Sequence, residues 1–297
     1  MWLMAVIGAA SSVVESTLAQ IYKSKSDNGK MFIGGPAYYI SKALKKPKLG
    51  VVFSCLFVFC YMFAFNAMQS NNMSTAFEGF IPNYHQTFWP WVIGAVFTLL
   101  VSSVVFGGLY RISFVSSYLV PTMASIYLMM SLYIFVTNIH MIPSVLSVIF
   151  KDAFNFSALA GGFAGSVILM GIQKGLLSNE AGMGSAPNSA ATAVTSHPVK
   201  QGIMQILSVS IDTLLICSAS AFTILLSKAP LTRVMSGTPL MQAAVSSQVG
   251  EWGSYFVGLS VICFSFSAVT GNFGISEPNL LYIKKNKIFV NVANIYK

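Results

Sequence analysis

Ser178-Asn179-Glu180-Ala181-Gly182-Met183-Gly184-Ser185-Ala186-Pro187 is the stretch around which the chain is organised. It follows the apolar run 158–177 and precedes the small-residue run 188–195. A carboxylate, an amide, hydroxyls, glycines and a proline therefore fall between segments able to enter a membrane. Hydrocarbon cannot satisfy freed backbone N–H and C=O groups, so non-helical backbone at that depth survives only inside protein or beside water. Helices broken in this way are how many transporters build a solute site. The competing reading is a loop at the membrane edge, where Gly, Ser, Asn and Pro are ordinary.

Composition supports the membrane setting. Of 297 residues, 55% are hydrophobic and 8% charged, against roughly 25% charged in soluble domains. Cys55, Cys60, Cys217 and Cys263 lie in apolar runs without the spacing of a metal or redox site, and read as buried small hydrophobes. The formal charge of +9 has no basic-aromatic module beside it that would suit nucleic acid. No basic region precedes the apolar helix that starts at Met1, so no cleavable signal peptide is expected.

A spanning helix needs about 20 mainly apolar residues. By that measure seven spans are expected, at 2–22, 49–77, 89–107, 112–137, 158–195 as a broken span, 203–227 and 241–271. The last is the weakest, because 246–253 is polar enough to be an entry loop. The chain reads as one transmembrane domain over 1–297, all-α and polytopic.

Alternating sides puts Lys23, Lys25, Lys30, Lys42, Lys45, Lys46, Lys48, Arg111, Lys200, Lys284, Lys285, Lys287 and Lys297 on one face. The other holds Lys151, Lys228 and Arg233, while Lys174 lies within a span. Thirteen against three marks the first face as cytoplasmic. Tyr84, Trp89 and Trp91 then belong to the outer aromatic belt.

The second span turns polar after Phe65, with Asn66, Gln69, Ser70, Asn71, Asn72 and Ser74. Phe65, Gln69 and Asn72 share one helical face. Polar side chains facing lipid are costly, so this face looks inward, to line a solute cavity or to join helices through amide hydrogen bonds. Pro121 should kink the fourth span or be absorbed by neighbouring helices.

Asp212 sits near mid-depth in the sixth span, as an ion ligand, a proton carrier or a structural partner of freed backbone. Ser265, Ser267 and Thr270 make the last span polar, with oxygens that suit a hard cation such as sodium. His85, His140 and His197 are scattered through loops and turns and suggest no metal site. For an intramembrane hydrolase, the only pairing of nucleophile and base is Glu180 with Ser178 or Ser185. Gly34-Gly35-Pro36-Ala37-Tyr38-Tyr39-Ile40 signals a short helix from Pro36, read as amphipathic along the cytoplasmic surface or as an inert turn.

These motifs together resemble the alanine or glycine:cation symporter family, bacterial and archaeal sodium-coupled amino-acid carriers. Lys174-Gly175-Leu176-Leu177 with the ten residues that follow is similar to the family's longest motif. His197-Pro198-Val199-Lys200-Gln201-Gly202 and Ile211-Asp212-Thr213 look like its continuation. Gly34–Ile40, Phe65-Asn66-Ala67-Met68-Gln69-Ser70-Asn71 and Met1-Trp2-Leu3-Met4-Ala5-Val6-Ile7-Gly8 resemble further family signatures, in colinear order over nearly the whole chain.

The resemblance implies a leucine-transporter-type inverted-repeat fold, with the seven spans as helices two to eight and with helix one and the last helices lacking. It implies sodium-coupled symport of small neutral amino acids such as alanine or glycine across the cytoplasmic membrane, with no enzymatic activity and no cofactor beside the coupling Na+. Phe65, Gln69, Asn179, Gly182, Met183 and Gly184 would contact the substrate, the broken span turning N–H groups toward its carboxylate. Ser267 would be a cation ligand, and Glu180 and Asp212 structural or coupling residues. In the family's eighth-helix pattern a threonine and a tryptophan stand where this chain has Ala268 and Asn272, which weakens the expected cation and substrate contacts. A second reading is a transport-inactive family member, or half of a split carrier whose partner is a complementing chain with the missing helices. On that reading the chain alone would not accumulate amino acid.

Overall fold

The computed structural model describes residues 1–26, 31–153, 163–227 and 236–285. The start of the expected broken span, the loop carrying Lys228 and Arg233, Lys30, and the tail from residue 286 lie outside the described residues. The regular structure of the described residues is helical apart from a two-stranded antiparallel pairing, Ser24–Lys25 with Phe32–Ile33.

Helix α1 is Trp2–Ile21. Helix α2, Pro36–Ala43, starts on the expected proline. Helix α3, Pro47–Phe59, passes through π-helical backbone at Cys60–Phe65 into α4, Asn66–Thr75. Helices α5, Trp89–Val105, and α6, Gly108–Thr137, meet at the glycine pair Gly107-Gly108. Pro121 is absorbed within α6, which stays continuous around it. Helix α7 is Ile142–Ala153, α8 is Phe163–Asn179 and α9 is Ser185–Thr192. Helix α10, Pro198–Ser210, continues through π-helical backbone at Ile211–Cys217 into α11, Ser218–Leu225. Helix α12 is Thr238–Val249 and α13 is Trp252–Lys285.

Among the described residues, five stretches are long and apolar enough to cross a membrane: Trp2–Ile21, Pro47–Thr75, Tyr110–Thr137, Pro198–Leu225 and Trp252–Lys284. The other two expected spans correspond to the shorter apolar helix α5 and to the pair α8 and α9. Large apolar side chains stand exposed, including Leu3, Trp91, Phe106 and Tyr110 at 77% or more. Water would penalise such a surface and hydrocarbon accepts it.

The expected span 241–271 is corrected. Gly250, at φ 89°, ends α12, and a new helix begins at Trp252. Helix α13 then runs through Pro278 to Lys285, so the chain after Glu277 is still helix rather than tail. The sequence boundary fails because the polar stretch 246–253 contains the real break while the apolar pattern continues across it.

The chain forms two compact units. The first comprises Met1–Ala64, Ser166–Leu215 and Asn272–Lys297; the second comprises Phe65–Gly165 and Ile216–Gly271.

In the first unit, α2 does not simply rest on the surface. Its first turn buries Pro36, Ala37 and Tyr38, and the Tyr38 hydroxyl donates to the Pro278 carbonyl at 3.1 Å. Ile33, Ala37, Tyr38, Val51 and Tyr282 form a core there. Ser54 donates to the buried Asn279 amide oxygen at 3.1 Å.

The second unit packs around Ile134, Leu226, Val245 and Val257. Amides brace it: Gln242 donates to the Ala76 carbonyl at 2.9 Å, and Asn138 to Gln248, which donates onward to Leu226 O. Tyr84 is buried, its hydroxyl 2.9 Å from Ser74.

Candidate functional site

In the first unit the non-helical link between α8 and α9 is five residues, Glu180 to Gly184. Glu180, Gly182 and Gly184 all have positive φ, at 50°, 79° and 90°. Left-handed backbone carries little penalty for glycine and costs other L-residues about 1–2 kcal/mol. The two glycines therefore make the link possible, and Glu180 holds its conformation against that cost.

Each polar side chain at the link has a partner from another element or from the next helix. The Asn179 amide donates to the Met4 carbonyl of α1 at 2.7 Å and accepts from the Thr213 hydroxyl. The Ser178 hydroxyl donates to Asp212 Oδ2 at 2.6 Å. The Ser185 hydroxyl donates to the Glu180 carboxylate. The π-helical backbone at Ile211–Cys217 carries both Asp212 and Thr213. A π turn shifts helical phase locally and recurs at functional positions.

Helix α1 contributes a residue absent from the sequence-derived set. Glu15 accepts from the Ser11 hydroxyl at 3.1 Å, and its carboxylate lies near the Gly182 backbone N–H. Burial and the nearby Glu15 charge push the Tyr39 hydroxyl on α2 up to about 12. The signal that marks Glu15 is a lone carboxylate inside an apolar span. Met183 N–H donates to the Glu180 carbonyl at 3.2 Å. The amide of Met183 is thus engaged within the protein, and would exchange partners to meet a carboxylate.

The far end of α9 is tied as well. Gln20 donates to the carbonyls of Ala190 and Ala193, and Lys23 donates to Ala193 O and Gln20 Oε1 at 2.9 and 2.7 Å. Gly34 and Gly35 admit α9 closely: a Cβ on Gly35 would sit 2.0 Å from Asn188 Oδ1.

The remaining expected residues lie in the second unit. Gln69 Oε1 accepts from the Ser265 hydroxyl at 3.5 Å, with Phe65 one turn earlier on the same helical run. Ser267 donates to Ser116 Oγ at 3.3 Å, and Thr270 donates to the Ser267 carbonyl at 3.0 Å. Structure therefore joins Asn179, Glu180, Gly182 and Asp212 into one polar region, and places Gln69 and Ser267 separately beside α13 serines and Ser116.

Comparison with known proteins bears on what this region serves. The probable sodium/glutamine symporter GlnT of Bacillus subtilis (strain 168) is 44% identical over 295 residues, covering 99% of this chain and 60% of that protein. The amino-acid carrier protein AlsT of the same organism is 43% identical, covering 99% and 62%. The sodium/alanine symporter AgcS of Methanococcus maripaludis is 33% identical, covering 91% and 60%. The chain thus spans about 60% of the length of these curated relatives. The family model for the sodium:alanine symporters matches residues 1–297. That family consists of transporters, not enzymes, and sodium is its coupling ion. With five apolar helices of spanning length among the described residues and a family match over residues 1–297, this multi-pass membrane protein belongs to the sodium:alanine symporter family.

Proposed function

We propose that the chain serves sodium-coupled symport of a small neutral amino acid, alanine or glycine, across the plasma membrane of a bacterium or archaeon. The observation that carries this reading is the link Glu180 to Gly184, with three positive-φ residues between two helices of a symporter-family chain. Backbone freed from helical bonding offers N–H and C=O groups to a zwitterion. The residues 1–297 would act as one transmembrane domain of about seven spans with a leucine-transporter-type inverted-repeat fold.

In the first unit Asn179, Gly182, Met183 and Gly184 are the proposed substrate contacts, with Glu180 and Asp212 holding the link. In the second unit Phe65 and Gln69 are proposed substrate contacts and Ser267 a cation ligand, its oxygen already in a hydroxyl-rich stretch with Ser265 and Thr270. The names of the relatives support amino acid and sodium as cargo; glutamine, named for one of them, is the competing substrate.

The test is uptake of labelled alanine, glycine and glutamine into proteoliposomes holding the 297-residue chain, with and without a sodium gradient. Sodium-stimulated uptake of alanine or glycine, reduced by Asn179→Ala and by Gln69→Ala, is the expected result. Uptake of glutamine alone would overturn the substrate assignment. Absence of sodium-driven uptake of all three above empty liposomes would overturn the transport reading for this polypeptide.

A further inference from the structure

A carboxylate inside a membrane helix needs a counter-charge. Among the described residues the salt bridge formed is His85 with Glu78, in the second unit. Glu15, Glu180 and Asp212 instead meet hydroxyls. Lys23, two turns along from Glu15 on the same chain segment, is turned to Gln20 and Ala193.

Glu15 differs from the other two because oxygens around it are unsatisfied. Glu15 Oε2 and the hydroxyls of Ser12 and Ser16 are buried without a hydrogen-bond partner, and both serines are 0% exposed. Helical hydroxyls ordinarily bond the carbonyl one turn back, as Thr98 does to Gly94 and Ser220 to Ile216.

Ser12, Glu15 and Ser16 fall at i, i+3 and i+4 and share a face of α1. The two ends of that face locate it. Gly8, one turn before Ser12, lies against Asn179, and Gln20, one turn after Ser16, donates to the Ala190 carbonyl. Between Asn179 and Ala190 the opposing chain is the non-helical link and the start of α9. Glu15 lies near the Gly182 N–H, in the same register. Three buried, unpaired oxygens are therefore aimed at the link.

We propose that Ser12, Glu15 and Ser16 hold a monovalent cation of sodium size against the Glu180–Gly184 link, separate from the cation ligand assigned to Ser267. Hard cations take oxygen donors. One carboxylate with two hydroxyls carries a single negative charge, which one monovalent ion neutralises. A divalent ion would leave an uncompensated charge in low dielectric. Because these oxygens face the link, the ion is tied to the backbone conformation of the link.

The experiment is thermal unfolding of the purified 297-residue chain in sodium chloride against choline chloride at equal ionic strength, with binding of radioactive sodium measured alongside. The expected result is a sodium-specific rise in Tm that Glu15→Gln abolishes and that Ser12→Ala with Ser16→Ala strongly reduces. Should Glu15→Gln fail to fold, Ser16→Ala alone removes one oxygen and should lower sodium affinity by about tenfold, the loss of one charge-assisted contact. A sodium-specific shift that survives the serine changes at full size overturns the proposal, as does its absence from the unmodified chain. So does a stability change at Glu15 that follows pH and ignores sodium, since Glu15 would then carry a proton. Failure of amino-acid uptake with sodium binding intact would count against transport and not against this site.

Discussion

Gly8 of α1 and Asn179 at the end of α8 approach so closely that a Cβ on residue 8 would lie 2.6 Å from Asn179 Nδ2. That amide nitrogen donates to the Met4 carbonyl at 2.7 Å, so the missing side chain is what admits the bond. Gly8→Val should therefore push Asn179 off Met4 and destabilise the chain by about 1–3 kcal/mol, the usual cost of overpacking. Thermal unfolding in detergent reads this directly. An unchanged Tm would mean that the two helices are not in this contact.

Ser178 and Asp212 form a hydroxyl-to-carboxylate bond of 2.6 Å, and bonds to charged groups contribute about 1.5–3 kcal/mol. Ser178→Ala and Asp212→Asn should each cost stability, and the double variant should cost clearly less than their sum. A double-mutant cycle measures the coupling. Strict additivity would show that the pair does not interact.

Gly182 and Gly184 both need left-handed backbone, yet they differ in surroundings. Nothing lies within 4 Å of a Cβ built on Gly182, whereas one on Gly184 would meet Phe53 Cζ at 2.7 Å and Pro36 Cγ at 3.2 Å. Alanine at either position pays about 1–2 kcal/mol for the backbone. Gly184→Ala should cost roughly 1–3 kcal/mol more through overpacking. Equal losses in Tm for the two variants would contradict the packing.

The basic asymmetry predicts the α2 to α3 turn in the cytoplasm and the turn before α5 outside. Tyr84 is a poor reporter because it is buried against Ser74, but the His85 side chain is 65% exposed. With the exposed Cys60 replaced by Ser, His85→Cys should react with an impermeant maleimide added to intact cells, and Lys46→Cys only after lysis. The reverse pattern would invert the orientation.

The break was legible in the sequence because bilayers leave few uses for Asn, Glu, Ser and two glycines in one short stretch. Glycine at 182 and 184 is the residue type that left-handed backbone demands, and Pro36 is the type that starts a helix. Gln69, Asp212 and Ser267 were legible as polar exceptions in apolar spans, a local property. Their partners were not. Asn179 meets a backbone carbonyl at Met4, which no side-chain pattern advertises.

What the amino-acid sequence determined by itself is the class of the molecule, its apolar helices, the family it joins and the place where one span gives way. The family follows from the resemblance of several motifs in order, and the rest from composition, periodicity and residue type within a few turns of chain. Only the tertiary structure decided that Asn179 meets Met4, that Gly34 and Gly35 admit α9, and that α12 and α13 part at Gly250. The physical reason is range: hydrogen-bond satisfaction and close packing join residues far apart in the chain, and an apolar run looks the same whether it holds one helix or two.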